Sequence, residues 1–183
     1  MKKMLFLTAV IMLCAGMAFA QPGFIGIFAD PGGTSCNLVD LVPGLTPYYI
    51  VHVWTPGATA SQFAAPMPPC MVGAIWLSDT PVYPVTIGNS QIGVAIGYGA
   101  CIPGPNHILT INYFVNGLTP PCCYYYVVED PNVPSGEIEI VDCTSTLWLQ
   151  TARDAGIINS NPSCNCNIAT DDATWGKVKA LYE

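Results

Sequence analysis

The sequence predicts an all-β protein, a two-sheet sandwich built from antiparallel strands. Glycine and proline, with 17 residues each among 183, interrupt the chain every few residues. Short apolar or alternating runs lie between these breakers at roughly ten-residue spacing, as in sandwich proteins. Strand and helix patterns do not alternate along the chain, so a parallel α/β sheet is not expected.

We expect about eight or nine strands from these runs. The run 48–54 is apolar on both faces, which favours a central strand. Pro84 limits the run 82–87 to an edge or a bulge, and the prolines of 61–70 exclude that segment from the interior of a sheet because proline donates no ladder hydrogen bond. The remaining predicted strands are 23–30, 73–77, 91–99, 107–115, 124–129, 136–142 and 145–151.

The segment 91–99 alternates most regularly. Large residues occupy every second position and are expected to point into the core, whereas the positions between them are glycine or alanine. The other face of this strand is therefore bare, and a second backbone or an aromatic ring could lie close against it. The large residues are Ile92, Val94, Ile96 and Tyr98.

Residues 1–20 have the pattern of a signal peptide. Two lysines precede an apolar run, and small residues at 18 and 20 would direct cleavage before Gln21. The apolar run is shorter than the roughly 20 residues of a membrane-spanning helix. A lipid anchor on Cys14 is disfavoured because Leu13 stands where a small residue is expected.

The rest of the chain divides into three predicted parts. These are a β-sandwich domain over 21–160, a cysteine-bearing loop over 161–170 and an amphipathic helical tail over 171–183. Aspartates precede the tail and lysines follow, as the helix dipole favours. Its apolar residues at helical spacing are Trp175, Val178, Leu181 and Tyr182.

The charge of the chain excludes two classes of partner. Beyond the predicted signal peptide, the only lysines and arginines are Arg153, Lys177 and Lys179, compared with 12 acidic residues. Nucleic acid and anionic membranes both require clustered basic side chains, so neither is an expected partner.

Eight cysteines, an even number, follow the predicted signal peptide. They predict a disulfide framework in an oxidising compartment. The spacings do not match the usual zinc pattern, and the adjacent pair at 122 and 123 is expected to bond two different partners. The sequence does not choose the pairing. The eight cysteines are Cys36, Cys70, Cys101, Cys122, Cys123, Cys143, Cys164 and Cys166.

Groups suited to catalysis are few. His52 and His107 are the only histidines, and no Gly-x-Ser-x-Gly motif is present. Glu137 and Glu139 lie two residues apart and could be offered as a pair of catalytic carboxylates. However, outward residues of any half-exposed strand have the same spacing for structural reasons alone. We therefore assign no catalytic residue, no cofactor and no metal, although Asp30, Asp130 and Asp142 near turns leave calcium as a weak alternative.

Aromatic side chains on strands are the candidate binding residues. Trp54, Trp76, Tyr125 and Trp148 are predicted to contact a carbohydrate or another surface protein. The competing interpretation places them in the core, where most strand aromatics lie.

Four stretches spread along the chain carry a resemblance: GFIGIFADPGGTSC, IGNSQIGVAIGYGAC, HILTINYF and DPNVPSGEIEIVDC. With these stretches the chain resembles a family of secreted bacterial proteins without an assigned activity. More loosely, the order of its strands is similar to that of cohesin-like and immunoglobulin-like sandwiches, which implies an adhesion or carbohydrate-binding module. The stretch TWGKVKALY resembles C-terminal segments of other exported proteins.

These observations favour a secreted, disulfide-stabilised, non-enzymatic module at the cell surface, outside the cell or in the periplasm. It would serve in structure, adhesion or binding. The alternative is a secreted hydrolase acting on polysaccharide or peptide. A pocket that brought His52 or His107 against a carboxylate or a serine would favour the hydrolase.

Overall fold

The computed structural model describes residues 23–151 and 155–166, in which all regular structure is β. No helix in this part of the chain is long and apolar enough to cross a membrane. The predicted signal peptide and helical tail lie outside the described residues. The strands are β1 Phe24–Phe28, β2 Asn37–Leu38, β3 Gly44–Val53, β4 Ala58–Phe63, β5 Ile75–Pro81, β6 Val85–Asn89, β7 Gly93–Ile102, β8 Asn106–Val115, β9 Cys123–Tyr125, β10 Ile138–Asp142, β11 Leu147–Gln150 and β12 Gly156–Ile158.

Two larger sheets form the predicted sandwich. One has the order β1-β3-β8-β5 and the other β11-β10-β4-β7-β6, and all neighbours within them are antiparallel. Ile50 and Ile111 of the first sheet share one buried cluster with Ile96 and Ile140 of the second. The all-β, antiparallel sandwich is confirmed by this shared core.

A third, small sheet closes one side of the sandwich. Its order is β2-β12-β9, in which β12 is parallel to β2 and antiparallel to β9. Neither β2 nor β12 was predicted, because two or three paired residues leave no periodic pattern in a sequence.

Strand β3 takes the central position that its sequence predicts. It lies between β1 and β8, and its end from Ile50 to Val53 is fully buried. The outer side of β1 and β3 is covered by a second apolar cluster rather than by water. That cluster contains Phe24, Phe28, Cys36, Val51 and Val53, with Tyr49 and Cys166 packed against it.

The exclusion of 61–70 from a sheet interior is wrong for its first residues. Strand β4 runs to Phe63 between β10 and β7, so Ser61 lies in the middle of the five-stranded sheet. The prolines begin at Pro66, beyond the last ladder position, and therefore end the strand without weakening it. Edge positions are confirmed for β6, which begins after Pro84, and β5 is also an edge strand.

All eight predicted cysteines are paired in disulfides. The bonds are Cys36–Cys166, Cys70–Cys123, Cys101–Cys143 and Cys122–Cys164. The adjacent pair bonds two different partners, as expected, and no thiolate of the eight remains to ligate zinc. Such a framework is typical of proteins that fold in an oxidising compartment.

Candidate binding face

The outward side of the five-stranded sheet presents two rows of residues in register. Each row crosses all five strands, in the order β11, β10, β4, β7 and β6. We call these ten residues the apolar face. One row is Leu149, Glu139, Gln62, Ala95 and Ile87, and the other is Leu147, Val141, Ala60, Gly97 and Val85.

The apolar face is a trough. Its floor consists of the small residues Ala60, Ala95 and Gly97 on the two inner strands. Its walls carry large apolar side chains: Val85 and Ile87 on β6 are 60% and 74% exposed, and the leucines of β11 are about half exposed. The floor, together with Val85 and Ile87 on β6 and Glu139 and Val141 on β10, lines a shallow groove of about 160 Å³, and the leucines of β11 stand beyond β10. Solvent-exposed apolar surface in a continuous patch of this kind marks an interaction site.

The floor of the trough follows from the alternation in 91–99. Val94, Ile96 and Tyr98 point into the core and are buried, as predicted, so the small residues between them face outward. Ile92 is the exception, since it precedes β7 and is 62% exposed. A Cβ at position 97 would lie 3.4 Å from Val85 Cγ1, so the wall strand already covers this glycine from the side.

One end of the trough is bounded by polar groups. The Gln62 amide donates to Asp130 Oδ2 at 2.8 Å, and Asn132 donates to Asp130 Oδ1 through both its backbone and its side chain. Gly93 has a positive φ of 119°, and a Cβ there would meet the Asp130 carboxylate at 2.1 Å. The chain needs glycine at this position to let the carboxylate lie against β7.

The opposite end is bounded by the disulfide between Cys101 and Cys143. It joins β7 to the turn after β10, and so crosses the start of β4, which lies between them. A Cβ at Gly57 would stand 2.5 Å from Cys143 Sγ and 2.6 Å from Cys101 Sγ. The disulfide therefore fixes the spacing of β7 and β10, the two strands that flank β4.

The charge at the apolar face is negative. Glu139 is the only charged residue among the ten. Burial alone would raise the pKa of Asp130, but hydrogen bonds from Gln62 and Asn132 outweigh it and hold the pKa below its ordinary value. The described residues contain no lysine or arginine. A complementary partner therefore combines an apolar surface with basic side chains.

The four predicted binding aromatics lie apart. Trp54 is exposed at the end of β3 and packs edge-on against Phe24 at 4.9 Å. Trp76 on β5 donates to Asp79 Oδ1 at 3.1 Å, and Trp148 on β11 donates to Asp142 Oδ2 at 2.9 Å. Both indoles are half-buried against the core, so they do not form a row of rings with Trp54.

The prediction that Tyr125 contacts a ligand at the surface is wrong, because its ring is fully buried. Its hydroxyl donates to the Ala65 carbonyl at 2.9 Å and lies 2.7 Å from the Tyr113 hydroxyl. Burial raises the pKa of Tyr125 well above its ordinary value. The neighbouring Tyr124 and Tyr126 are the exposed rings on β9 and its extension, nearly parallel at 6.2 Å.

The two histidines do not create the site that the hydrolase alternative requires. His52 is fully buried within β3, with its ring edge-on to Tyr98 at 6.5 Å. His107 Nε2 lies 3.0 Å from Thr110 Oγ1, and its ring contacts Tyr49. Burial lowers the pKa of His107. Neither imidazole faces the trough, and Glu137 and Glu139 occupy the outward positions that alternation predicts.

The three aspartates considered for calcium accept hydrogen bonds that hold turns. Asp30 accepts from the backbone of residues 32, 34 and 35. Asp142 accepts from the backbone of Thr144 and Thr146 as well as from the Trp148 indole. These bonds explain why turn chemistry places aspartates there without an ion.

A smaller apolar group is exposed at one end of the four-stranded sheet. Leu45, Phe114 and Ile75 are neighbours in register on its outer side. This group covers three strands and does not line a groove with the apolar face. We therefore take the ten-residue trough as the candidate site.

Neither a protein-family model nor a curated protein matches the chain. Solved structures to which it is similar include cohesin modules. A module of a Clostridium perfringens family 33 glycoside hydrolase has a TM-score of 0.46 and 7% identity, over 76% of this chain and 98% of that one.

Two further cohesins were solved in complexes. The sixth cohesin of Acetivibrio cellulolyticus scaffoldin B, with a mutant Cel5 dockerin, has a TM-score of 0.47 and 11% identity, over 76% of this chain and 99% of that one. The third ScaB cohesin of R. flavefaciens, with a group 1 dockerin, has a TM-score of 0.48 and 12% identity, over 77% and 97%.

Proposed function

We propose that the chain is a secreted, non-enzymatic binding module that docks a partner protein on its apolar face. Residues 1–20 would direct export and be removed in the process, and residues 21–160 would form the binding domain. The partner would present an apolar surface with basic side chains at its border.

The observation that carries this proposal is the pairing of large exposed side chains with a bare floor. Ile87 and Leu149 stand at opposite edges of the sheet, and only Gln62 and Glu139 interrupt the apolar character of the ten residues between and beside them. A small-molecule site would need several converging polar groups in an enclosed cavity. An open trough with a single carboxylate fits a macromolecular surface better.

The framework of four disulfides supports the location. Bonds of this kind persist outside the cytoplasm and are reduced within it. They also hold the sheet that carries the apolar face, because Cys101–Cys143 spans its floor at one end.

Site-specific photo-cross-linking in the cells that export the protein tests the proposal. A photoreactive phenylalanine analogue replaces Leu149 on the apolar face or, as a matched control, Ser78 on the four-stranded sheet, which is also an exposed strand position. We expect a discrete protein adduct from position 149 and about tenfold less from position 78.

The captured protein must then bind the purified chain, and Glu139→Lys must weaken that binding. Equal adducts from both positions, or a captured protein whose affinity is indifferent to Glu139→Lys, would show that the apolar face is not a docking surface.

A further inference from the structure

We infer that the occupant of the apolar face is the C-terminal segment, residues 171–183, of a second copy of this chain. The inference rests on the proposed function and names the partner for the same site. Four properties of the chain support it: the charge, apolar pattern and length of the segment, and the distance that it can reach.

The C-terminal segment carries basic residues that complement the acidic domain. Apart from the leader, the chain has three basic residues, and two of them, Lys177 and Lys179, are in the final segment. The described residues contain carboxylates but no lysine or arginine, and Glu139 lies on β10, next to the floor of the apolar face. Opposite charges at a protein interface fix orientation and raise the association rate.

The pattern of the segment matches an apolar trough. Its spacing predicts a helix with Trp175, Val178 and Leu181 on one side. At about 100° per residue, the two lysines fall on either side of that apolar stripe. A helix with this arrangement presents its apolar side chains to the floor. The lysines on its two flanks then lie toward carboxylates at the border of the groove, such as that of Glu139.

The groove at the floor of the trough has the width of one helix. It lies between strands β10 and β6, which are three strand spacings apart, or about 14 Å, and a helix with its side chains is about 10–12 Å across. A helix of 13 residues is about 20 Å long, close to the length of a six-residue strand such as β4. Small floor residues let a helix approach a sheet closely.

The segment 171–183 cannot reach the apolar face of its own chain, so the face that it occupies belongs to a second copy. Cys166 is bonded to Cys36 and packs against the cluster on the outer side of the four-stranded sheet, away from the trough. The four residues 167–170 span at most about 14 Å. The two sheets alone are about 10 Å apart, and the path from one outer face to the other is about 20 Å with side chains included. The segment therefore docks on a neighbour.

Such a contact is heterologous, because the tail of one copy meets the face of the next. Repetition of a heterologous contact builds an open chain of copies unless the rotation closes a ring. The same contact would make the protein a self-assembling surface or matrix component.

Two complementary variants of the full exported chain test this inference. Gly97→Phe fills the trough, and its tail is intact. Lys177→Glu with Lys179→Glu reverses the charge of the tail and leaves the trough open. In sedimentation equilibrium we expect the wild-type chain to associate as its concentration rises and each variant alone to stay monomeric. A mixture of the two should give a one-to-one dimer and nothing larger.

A second set of variants keeps the test valid if Gly97→Phe does not fold. Glu139→Lys changes an outward side chain and should also weaken self-association. Combined in one chain with the reversed tail, it should restore association, since the charges are exchanged. Ser78→Lys on the other sheet is the matched control and should leave association unchanged.

The inference is overturned if the wild-type chain stays monomeric at every concentration, or if reversing the tail leaves assembly intact. Should cross-linking from position 149 still capture a different protein in that case, the proposed function stands and only the occupant is wrong. If position 149 captures nothing and the chain does not associate, both fail.

Discussion

The two large sheets differ in what they show to the outside. The five-stranded sheet presents the apolar face, with its small floor and large walls. The middle of the four-stranded sheet presents Thr80, Thr110, Asn112 and Ser78, and the Asn112 amide donates to Thr80 Oγ1 at 3.0 Å and to Ser78 Oγ at 3.4 Å. The middle of the four-stranded sheet satisfies its own polar groups, and its exposed apolar strand residues lie at one end, whereas the five-stranded sheet presents apolar side chains to water across all five strands.

The difference shows how one core can support two unlike surfaces. Both sheets contribute similar apolar residues to the shared core, so stability does not require the exposed leucines of β11 or Ile87 of β6. Apolar side chains that do not contribute to the core and are not covered by the described chain are expected to serve an interface.

The largest predicted effect is the loss of stability when a disulfide is removed, and it differs between the disulfides on the two outer sides. Removing Cys36–Cys166 with paired Cys→Ser changes should lower the free energy of unfolding by about 5 kcal/mol, and removing Cys101–Cys143 by about 4 kcal/mol. The order follows from the sequence separations of 130 and 42 residues. Urea unfolding measures both values.

Only the second change should also weaken partner binding, because only Cys101–Cys143 bounds the trough. Gly57→Ala should be strongly destabilising in the wild type, since its Cβ would overlap both sulfurs, and much less so without that disulfide. Equal costs of Gly57→Ala in the two backgrounds would contradict the described contact.

The next effect concerns binding rather than stability. Gly97→Phe should weaken partner binding about 30-fold, roughly 2 kcal/mol, because a ring on the floor excludes the partner from the trough. Position 97 has no positive φ, and the new Cβ meets Val85 at an ordinary contact distance, so the fold should tolerate the change.

Thr110→Phe is the control, because it adds the same ring to the four-stranded sheet. Titration calorimetry with the captured partner should show unchanged affinity for Thr110→Phe. Equal losses from both variants would remove the distinction between the two outer sides.

The smallest predicted effect is a pH dependence at the edge of the five-stranded sheet. Hydrogen bonds from the Trp148 indole and from Thr144 and Thr146 lower the pKa of Asp142 from 3.8 to about 2. A carboxyl with a depressed pKa stabilises the folded state above pH 4 and loses that contribution as the pH falls through about 2. The indole N–H resonance of Trp148 should titrate near pH 2.

Asp142→Asn should abolish that titration while the outward leucines of β11 keep their exposure. A midpoint near 4 would mean that the hydrogen bonds to Asp142 do not persist in solution.

Sequence periodicity predicted the floor of the trough but not its walls. The alternation in 91–99 and in 136–142 places Ala95, Gly97 and Glu139 on outward positions, as observed. On β6 and β11, however, Val85 and Ile87 flank Thr86, and the two leucines flank Trp148. Alternation separates the two sides of such a strand but does not tell which side faces the core, so the sequence made no prediction for these outward apolar residues.

The same ambiguity explains the error at Tyr125. Alternation correctly places it on the side opposite Tyr124 and Tyr126, but the buried side is decided by pairing of β9 with β12, more than thirty residues away. Strand order, including the position of β4 beneath the Cys101–Cys143 bond, depends on such long-range contacts and has no local signal.

Coverage of the two outer sides in the native setting tests the central claim most directly. Carbene footprinting should compare the protein in its own cellular surroundings with the purified protein at high dilution. We predict that label uptake at Val85, Ile87, Leu147 and Leu149 falls several-fold in the native setting, while uptake at Ser78 and Thr80 does not change. Equal uptake at both sides in the two settings would contradict the account.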